Sequence, residues 1–520
     1  MIKFHSTVTR RDFMKALGFG VAGIGATAAA APVFRDLDEI VQAGSNILVD
    51  EPYPWWVKQL EIGHPNCEID FNVMQRMDRT RYNNSSAHVT PEKTAARSAA
   101  QLELRKAKIL ADYPGHRLQD IGLNLTGRVL RSHSYVTLTD TSRSTGTGAE
   151  QLEWSGEVRG VHCGYGTSPF SYYAETPEER GVPKWTGTPE EASHMMRCIA
   201  RYAGGTQTSF GIMDDNTIKF MWGPESSYSF SATTNYPYRT GSKYNIPASH
   251  RYVINPIIQQ QIEGARRGPS NYSGLDVGKG YFQSGLANVR MHAFIKTIGY
   301  NSTGANGFGA NSAWAQWTGG GEFIRLHEIS NPYCGPLFRR ANIFLTDLPV
   351  APTHPIESGQ TTFCKSCLKC FHVCPTQAIP DYKEPRWEIT DADSPGGDPD
   401  FLDPIRFNNP GKKIWWLNLY ACMTNWTLTD TGCGMCQGTC VFSRHGAQSV
   451  HGLIKTIVAT TPILNGFFTK MDEFFGYGPI GYPIYDPEWP TPGWDTQYPE
   501  YWEKINSWWD KPRPMYGLNY

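Results

Sequence analysis

Along the 520-residue chain, apolar positions fall into helical spacing in only a few places. Thr188-Pro189-Glu190-Glu191 reads as a helix start: a hydroxyl that can cap, proline at the first helical position, and glutamate three residues on. Met195, Ile199 and Tyr202 then make one face, and Gly204-Gly205 ends the helix. A second helix is predicted from about Gln283 to Ile298. Leu286, Val289, Ala293, Phe294 and Ile298 form its stripe and Gly299 its stop. Residues 101–112 also read as helical, and short β-branched or aromatic runs such as Ile343 to Leu345 read as strands. Alternation of such elements over roughly 100–350 predicts a layered α/β or α+β domain. Residues 32–100 show no clear period. Residues 476–520, rich in Pro, Tyr and Trp, predict a tail wrapped over the surface without regular structure.

The opening segment has its own pattern. Thr9-Arg10-Arg11-Asp12-Phe13-Met14-Lys15 precedes an uncharged run from Ala16 to Phe34, nominally long enough to span a bilayer. The run is mostly alanine and glycine, and Ala28-Ala29-Ala30-Ala31-Pro32 suits a small-residue cleavage site. Residues 1–31 therefore read as a twin-arginine signal peptide, with an uncleaved amphipathic start as the alternative. That export route carries folded proteins, usually because a cofactor is inserted first, so it hints at a metal or organic cofactor. No other stretch reads as a membrane span, so attachment to a membrane would need a partner.

Composition removes several function classes. Lys plus Arg is 48 against 49 Asp plus Glu, a net charge of -1, which argues against a nucleic-acid binder held by bulk charge. Aromatic residues make up 13 %, too many for a disordered chain, and 51 Gly with 36 Pro imply a loop-rich one. Twelve cysteines are too few for a disulfide scaffold, so their clustering carries the message.

Cys364-x2-Cys367-x2-Cys370-x3-Cys374-Pro375 is the bacterial ferredoxin run for a 4Fe–4S cluster. Thiolates suit iron as soft, strongly donating ligands. A zinc site is the alternative, but it needs four ligands rather than two groups of four. The second group is Cys433-x2-Cys436-x3-Cys440, with Cys422 upstream replacing the missing first step. In two-cluster runs the fourth cysteine reaches across. Pairing on that logic gives Cys364, Cys367, Cys370 and Cys440 to one cluster, and Cys374, Cys422, Cys433 and Cys436 to the other. Cys67, Cys163, Cys198 and Cys334 remain as ordinary buried thiols. Two such clusters deliver single electrons, and the roughly 330 residues before them should receive those electrons. That span contains no G-x-G-x-x-G after a strand and no D-x-H-x-x-G, the loop that would place a histidine under a corrinoid cobalt.

The chain resembles the corrinoid and iron–sulfur respiratory reductive dehalogenases, and is most similar to the chloroethene-reducing members, such as vinyl chloride and trichloroethene reductases. The resemblance runs through Phe4-His5-Ser6-Thr7-Val8-Thr9-Arg10-Arg11-Asp12-Phe13-Met14-Lys15, through Leu345-Thr346-Asp347-Leu348-Pro349-Val350-Ala351-Pro352, and through the ferredoxin run. It continues in Cys433-Gly434-Met435-Cys436-Gln437, Ala459-Thr460-Thr461-Pro462 and Asn465-Gly466-Phe467-Phe468. It implies a nitroreductase-like α/β (α+β) core over 32–350 burying a base-off cobalamin. A ferredoxin-like domain with two 4Fe–4S clusters follows over 351–475, and the tail covers 476–520. It further implies a small organohalide substrate, a chlorinated ethene first and a chlorinated aromatic second. A membrane anchor protein, a respiratory electron donor and a place on the outer face of the cytoplasmic membrane are also implied.

Carried over by position, the family's proton-donating tyrosine lies nineteen residues before the tyrosine of Ile298-Gly299-Tyr300, which selects Tyr281, expected at the helix N-terminus. The basic partner falls in Gly335-Pro336-Leu337-Phe338-Arg339-Arg340; counting from Gly335 selects Arg339, and counting back from Leu348 selects Arg340. Chain length favours Arg339. Asn306 lies near where the family places a polar pocket residue, and Gly319, Gly320 and Gly321 would let backbone approach the corrinoid. Two other readings share parts of this pattern. A cobalamin and two-cluster reductase of the epoxyqueuosine type is opposed by the signal segment and the balanced charge. An exported ferredoxin-like electron carrier is opposed by the long first domain.

Overall fold

The structure is a computed structural model that describes residues 53–77, 91–121, 149–151, 176–178, 180–235, 237–240, 243–305, 309–340, 343–390, 408–419, 421–422, 425, 432–443, 449–475 and 477–478. The signal segment, Cys163, Asn306 and nearly all of the tail lie outside the described residues. In chain order the elements begin with β1 (Lys58–Gln59), α1 (Pro91–Leu110), β2 (Ala149–Gln151), α2 (Pro189–Tyr202) and β3 (Gln207–Ile212). Next come β4 (Tyr228–Ala232), β5 (Tyr238–Thr240), β6 (Lys243–Pro247), β7 (Tyr252–Gln259), α3 (Ile262–Ala265) and α4 (Asn271–Thr297). After them are β8 (Ser302–Ala305), α5 (Asn311–Trp317), β9 (Glu322–Ile324), β10 (Glu328–Ser330), β11 (Phe338–Arg340) and β12 (Ile343–Thr346). The last are β13 (Ile356–Glu357), α6 (Gln360–Cys364), α7 (Lys369–His372), α8 (Met435–Thr439), α9 (Ser449–Thr460) and α10 (Asn465–Phe474). Among the described residues no helix is long and apolar enough to cross a membrane.

The central sheet is built on β7. β3 pairs along one side of it; β12 and then β11 pair along the other, and β8 lies beyond β12. Every pairing in this sheet is antiparallel, so the layered fold expected from the sequence takes its α+β form. Side chains alternate across the strands. Phe210, Ile254 and Phe344 pack against Met196 of α2 and Met291 and Ile295 of α4. Val253, Ile343 and Leu345 pack on the other face, against Trp314 of α5. The second sheet, β2-β5-β6-β4, packs onto that same face through Phe230 of β4 and Ile246 of β6, and has one parallel pair, β4 with β6.

The capping box forms as the sequence implies: Glu191 N–H donates to Thr188 Oγ1 at 3.2 Å, and Thr188 N–H donates to the Glu191 carboxylate at 2.8 Å. The buried stripe differs by one position from the expected one. Ala192, Met196 and Ala200 are buried, Met195 and Ile199 are only half-buried, and Tyr202 is exposed. The strand at Ile343 extends to Thr346.

Helix α4 departs further. It begins at Asn271, twelve residues before the expected start, behind the capping hydroxyl of Ser270. Gly274, Gly278, Gly280 and Gly285 lie in its first fifteen residues and dilute any helical signal, because glycine is a poor helix former. Tertiary packing holds it instead. Tyr272 Oη donates to Asp120 at 2.8 Å, Arg117 pairs with the same carboxylate, and Asn271 donates to Gly115 O. The buried positions Ala287, Met291 and Ile295 again sit one residue off the expected stripe, whose Leu286, Ala293, Phe294 and Ile298 are half-buried. Gly299, in the left-handed region at φ 93°, ends the helix where expected.

Three imidazoles are buried neutral. His250 bonds Thr303 and His292 bonds Ser302, while His116 lies under α4. Desolvation lowers His116 and His292 to about 3 and His250 to about 4. Each therefore contributes stability that is fully present above about 6.5 and is lost as pH falls, by about 1.4 kcal/mol per unit. Asp276 works in the opposite sense. Burial raises it to about 7, so its contribution is lost as pH rises through that value. The three imidazoles, titrating from about 6.5, outweigh the raised carboxyls of Asp276, Glu322 and Asp347, of which Asp276 alone is placed at about 7. The anaerobic melting temperature should therefore fall between pH 7 and pH 5.5. A melting temperature that holds or rises over that range would contradict this.

Candidate functional site

The helix carrying the first cysteine is held by the β9–β10 hairpin. Glu322 of β9, fully buried, accepts from Ser358 and from Thr361 Oγ1 at 2.9 Å, at the start of α6. Burial pushes its carboxyl up, and these donors oppose the push. Arg325 follows in the hairpin turn and is also fully buried. Its guanidinium donates to Cys364 O at 2.6 Å, Cys367 O at 3.2 Å, Pro380 O at 2.9 Å and Tyr382 O at 2.6 Å, and its carbon lies 5.2 Å from the Trp415 ring centroid. The carboxylate thus lies at the helix start and the cation at its end, matching the helix dipole.

Two sets of thiols form around this framework. Cys364 senses the charges of Cys367 and Cys440, and Cys370 senses Cys367, Cys364 and Cys440. Cys422 senses Cys374 and Cys433; Cys436 senses Cys433, Cys422, Cys374 and, more weakly, Cys370. Burial is the largest cause that pushes these thiols up, Cys433 to about 12, and mutual repulsion adds to it for most of them. Such thiols give up their protons only to a cation that replaces them. Among the described residues no three His, Cys, Asp or Glu converge on a single ion. The ligand chemistry of the two sets, four thiols each, fits the four-thiolate ligation of a 4Fe–4S cluster. Ile324, Leu326, Ile379 and Trp415 form the apolar wall around them. Of the other thiols, Cys67 and Cys334 are buried, whereas Cys198 is exposed, because its face of α2 points to solvent.

The second set is pressed against the core. A side-chain carbon at Gly268 would strike Cys433 O, and one at Gly438 would lie 2.7 Å from the Ala265 carbonyl carbon. Ser273 of α4 donates to Gly432 O. Tyr281 lies eight residues further along α4, about 12 Å at the helical rise. It is half-buried and sits in the third turn, not at the N-terminus, so the dipole argument for it does not apply.

On the same helix, Ser284 Oγ and Asn288 Oδ1 are buried without a hydrogen-bond partner among the described residues, as is Gln260 Oε1 at the end of β7. Ser284 and Asn288 lie three and seven residues beyond Tyr281, on one face of α4. Arg339 pairs with Ile258 and Arg340 with Ile257. Ile258 packs with Ala287, which lies on α4, whereas Ile257 packs with Ala315 of α5. The unsatisfied hydroxyl and amides fit a ligand rich in amide groups, as a corrinoid is.

The glycine run behaves differently from its expectation. A side-chain carbon at Gly319, Gly320 or Gly321 would meet His354 O, Ala315 O or Ser330 O. The close approach is to the protein's own backbone, and Gly319 O accepts from Tyr53. A cavity of about 50 Å³, lined by Cys67, Phe220, Trp222, Ala313, Phe323 and Lys412, contains none of the site residues.

A buried array of soft thiols packed on an α+β core is the build of an oxidoreductase. Residues 53–245 match the reductive dehalogenase subunit family. The chain is 27 % identical to the chloroethene reductive dehalogenase of Dehalococcoides mccartyi strain VS, over 100 % of this chain and 99 % of that protein. It is 29 % identical to the trichloroethene reductive dehalogenase of another strain of that species, covering 94 % and 97 %. In fold it is similar to a solved catabolic reductive dehalogenase, with a TM-score of 0.52 at 16 % identity over 81 % of this chain. The chain spans about half, 49 %, of that protein's length. Over nearly its whole length the chain is similar to reductive dehalogenases and, like them, is an oxidoreductase.

Cys422 is the thiol furthest from either compact run. Cys422→Ala should cost about half of the bound iron and spare the other cluster's electron paramagnetic resonance signal. Iron content equal to the unaltered protein would remove Cys422 from the ligand set.

Proposed function

We propose that this chain is a reductive dehalogenase of chlorinated ethenes, working with a base-off corrinoid and two 4Fe–4S clusters. The observation that carries the reading is the second thiol set seated on α4, the helix that also bears Tyr281 and the unsatisfied Ser284 and Asn288. The ethene substrate rests on the named activities of the two D. mccartyi relatives.

The net reaction takes an organohalide, two electrons and one proton to a C–H bond and a halide ion. The corrinoid supplies a low-valent cobalt that labilises the carbon–halogen bond, and the clusters supply electrons singly. The chain's own residues do the rest. Cys364, Cys367, Cys370 and Cys440 would hold the outer cluster, and Cys374, Cys422, Cys433 and Cys436 the one against the core. Ser284, Asn288 and Gln260 would bond the corrin amides. Tyr281 Oη gives its proton to the carbon that loses the halogen. Arg339 holds the departing halide and stabilises the phenolate left behind. Asn306 would complete the pocket wall. In the cell the chain would cross the membrane by the twin-arginine route and work on its outer face, bound to an anchor protein and fed by a respiratory donor.

The test is chloride release from vinyl chloride and trichloroethene by anaerobic, cofactor-loaded protein. Tyr281→Phe should retain corrinoid and clusters while losing roughly 100-fold or more in turnover. Near-normal turnover in that variant would end the proton-donor assignment. No chloride from either ethene, with both cofactors bound, would end the substrate assignment.

A further inference from the structure

Arg325 is the unexplained charge of this molecule. It comes from the core hairpin, is fully buried, and makes five hydrogen bonds among the described residues, all to main-chain carbonyls. Main-chain oxygens satisfy a guanidinium's protons but do not neutralise its charge, and a buried charge needs a counter-charge. Lys369, a buried cation beside these thiols, already has one, Asp472, itself buried; Lys455, whose charge acts on Cys440, is only half-buried. Arg325 instead lies against the carbonyls of two cysteines, Cys364 and Cys367, and its charge opposes the upward push of burial at the Cys364 and Cys370 sulfurs.

We infer that Arg325 is the electrostatic partner of the cluster held by Cys364, Cys367, Cys370 and Cys440, and sets that cluster's reduction potential above the value it would have without the cation. A cubane held by four thiolates is anionic and becomes more so on reduction, so a fixed cation in a water-poor wall favours the reduced state. The second set has the uncharged Gly268, Ala265 and Ser273 packed beside it, and the carboxylate of Glu328 acts on it at Cys422, which disfavours added negative charge. The two potentials are thereby separated, with the outer cluster the easier to reduce. Arg325 reaches the cysteine-loop carbonyls and Trp415 among the described residues, so it is a positioning residue for the electron path. The inference rests on the proposed function in one respect, that these four thiols hold a cluster.

The experiment is a redox titration of the loaded full-length protein, followed by electron paramagnetic resonance, with iron counted in every sample. Arg325→Gln should keep both clusters and shift one midpoint to more negative potential, leaving the other in place. Arg325→Lys, which keeps the charge, should return that midpoint toward the unaltered value. Two intact clusters with unshifted midpoints in Arg325→Gln would overturn the inference. Should the glutamine variant not take up iron, the lysine variant decides. An unshifted midpoint there supports the charge. A negative shift there assigns the effect to lost hydrogen bonds and overturns it. An unaltered protein that binds no clusters would remove the proposed function itself, a distinct result.

Discussion

The structure depends most on the clamp that the β9–β10 hairpin closes on helix α6. A short helix bearing a cluster ligand has little stability of its own. Here its first turn is held by a carboxylate from Glu322 and its last carbonyls by the guanidinium of Arg325, three residues on in the same hairpin. Both groups are fully buried, so each interaction is strengthened by low dielectric and each would be costly to leave half-made. The hairpin belongs to the core and α6 to the cysteine loops, so one element fixes the position of the first thiols relative to the rest of the fold.

The second constraint is distance. Electrons pass between centres only where protein lets them come close, and side chains stand in the way. At this seam glycine removes them: Gly268 faces the Cys433 carbonyl, Gly438 faces Ala265, and Gly432 approaches Gly274 of α4. These positions bring cysteine backbone onto the very helix that carries Tyr281. The four glycines in the first fifteen residues of α4 weaken the helix as a helix, and its buried N-terminal cap and the Tyr272–Asp120–Arg117 network offset that cost.

Much of this was legible from residues alone, and the gaps have physical causes. Thr188-Pro189-Glu190-Glu191 announced α2 because a capping box is local chemistry, and Gly299 announced the end of α4 for the same reason. The start of α4 was hidden because glycine carries no helical signal. Both helical stripes were displaced by one residue because α2 and α4 are covered on more than one side, so half-buried Ile199 and Phe294 look as interior as Met196 and Ile295. Among the site residues, the cysteine spacing spoke for itself, whereas counting along the chain left two arginine positions of β11, 339 and 340, paired with Ile258 and Ile257. Glu322 and Arg325 gave no signal: a lone charge in a strand or turn reads as surface, and only the fold shows each of them buried. Gly319 to Gly321 gave a misleading one, since close approach to backbone and to a cofactor demand the same residue.

The central claim is that one corrinoid and two iron clusters act together on this chain. It is tested most directly by elemental analysis of anaerobic protein after reconstitution with cobalamin, iron and sulfide. The account predicts about one cobalt and about eight irons per chain. About eight irons without cobalt, under conditions in which a known corrinoid protein is loaded, would contradict it and leave an electron carrier.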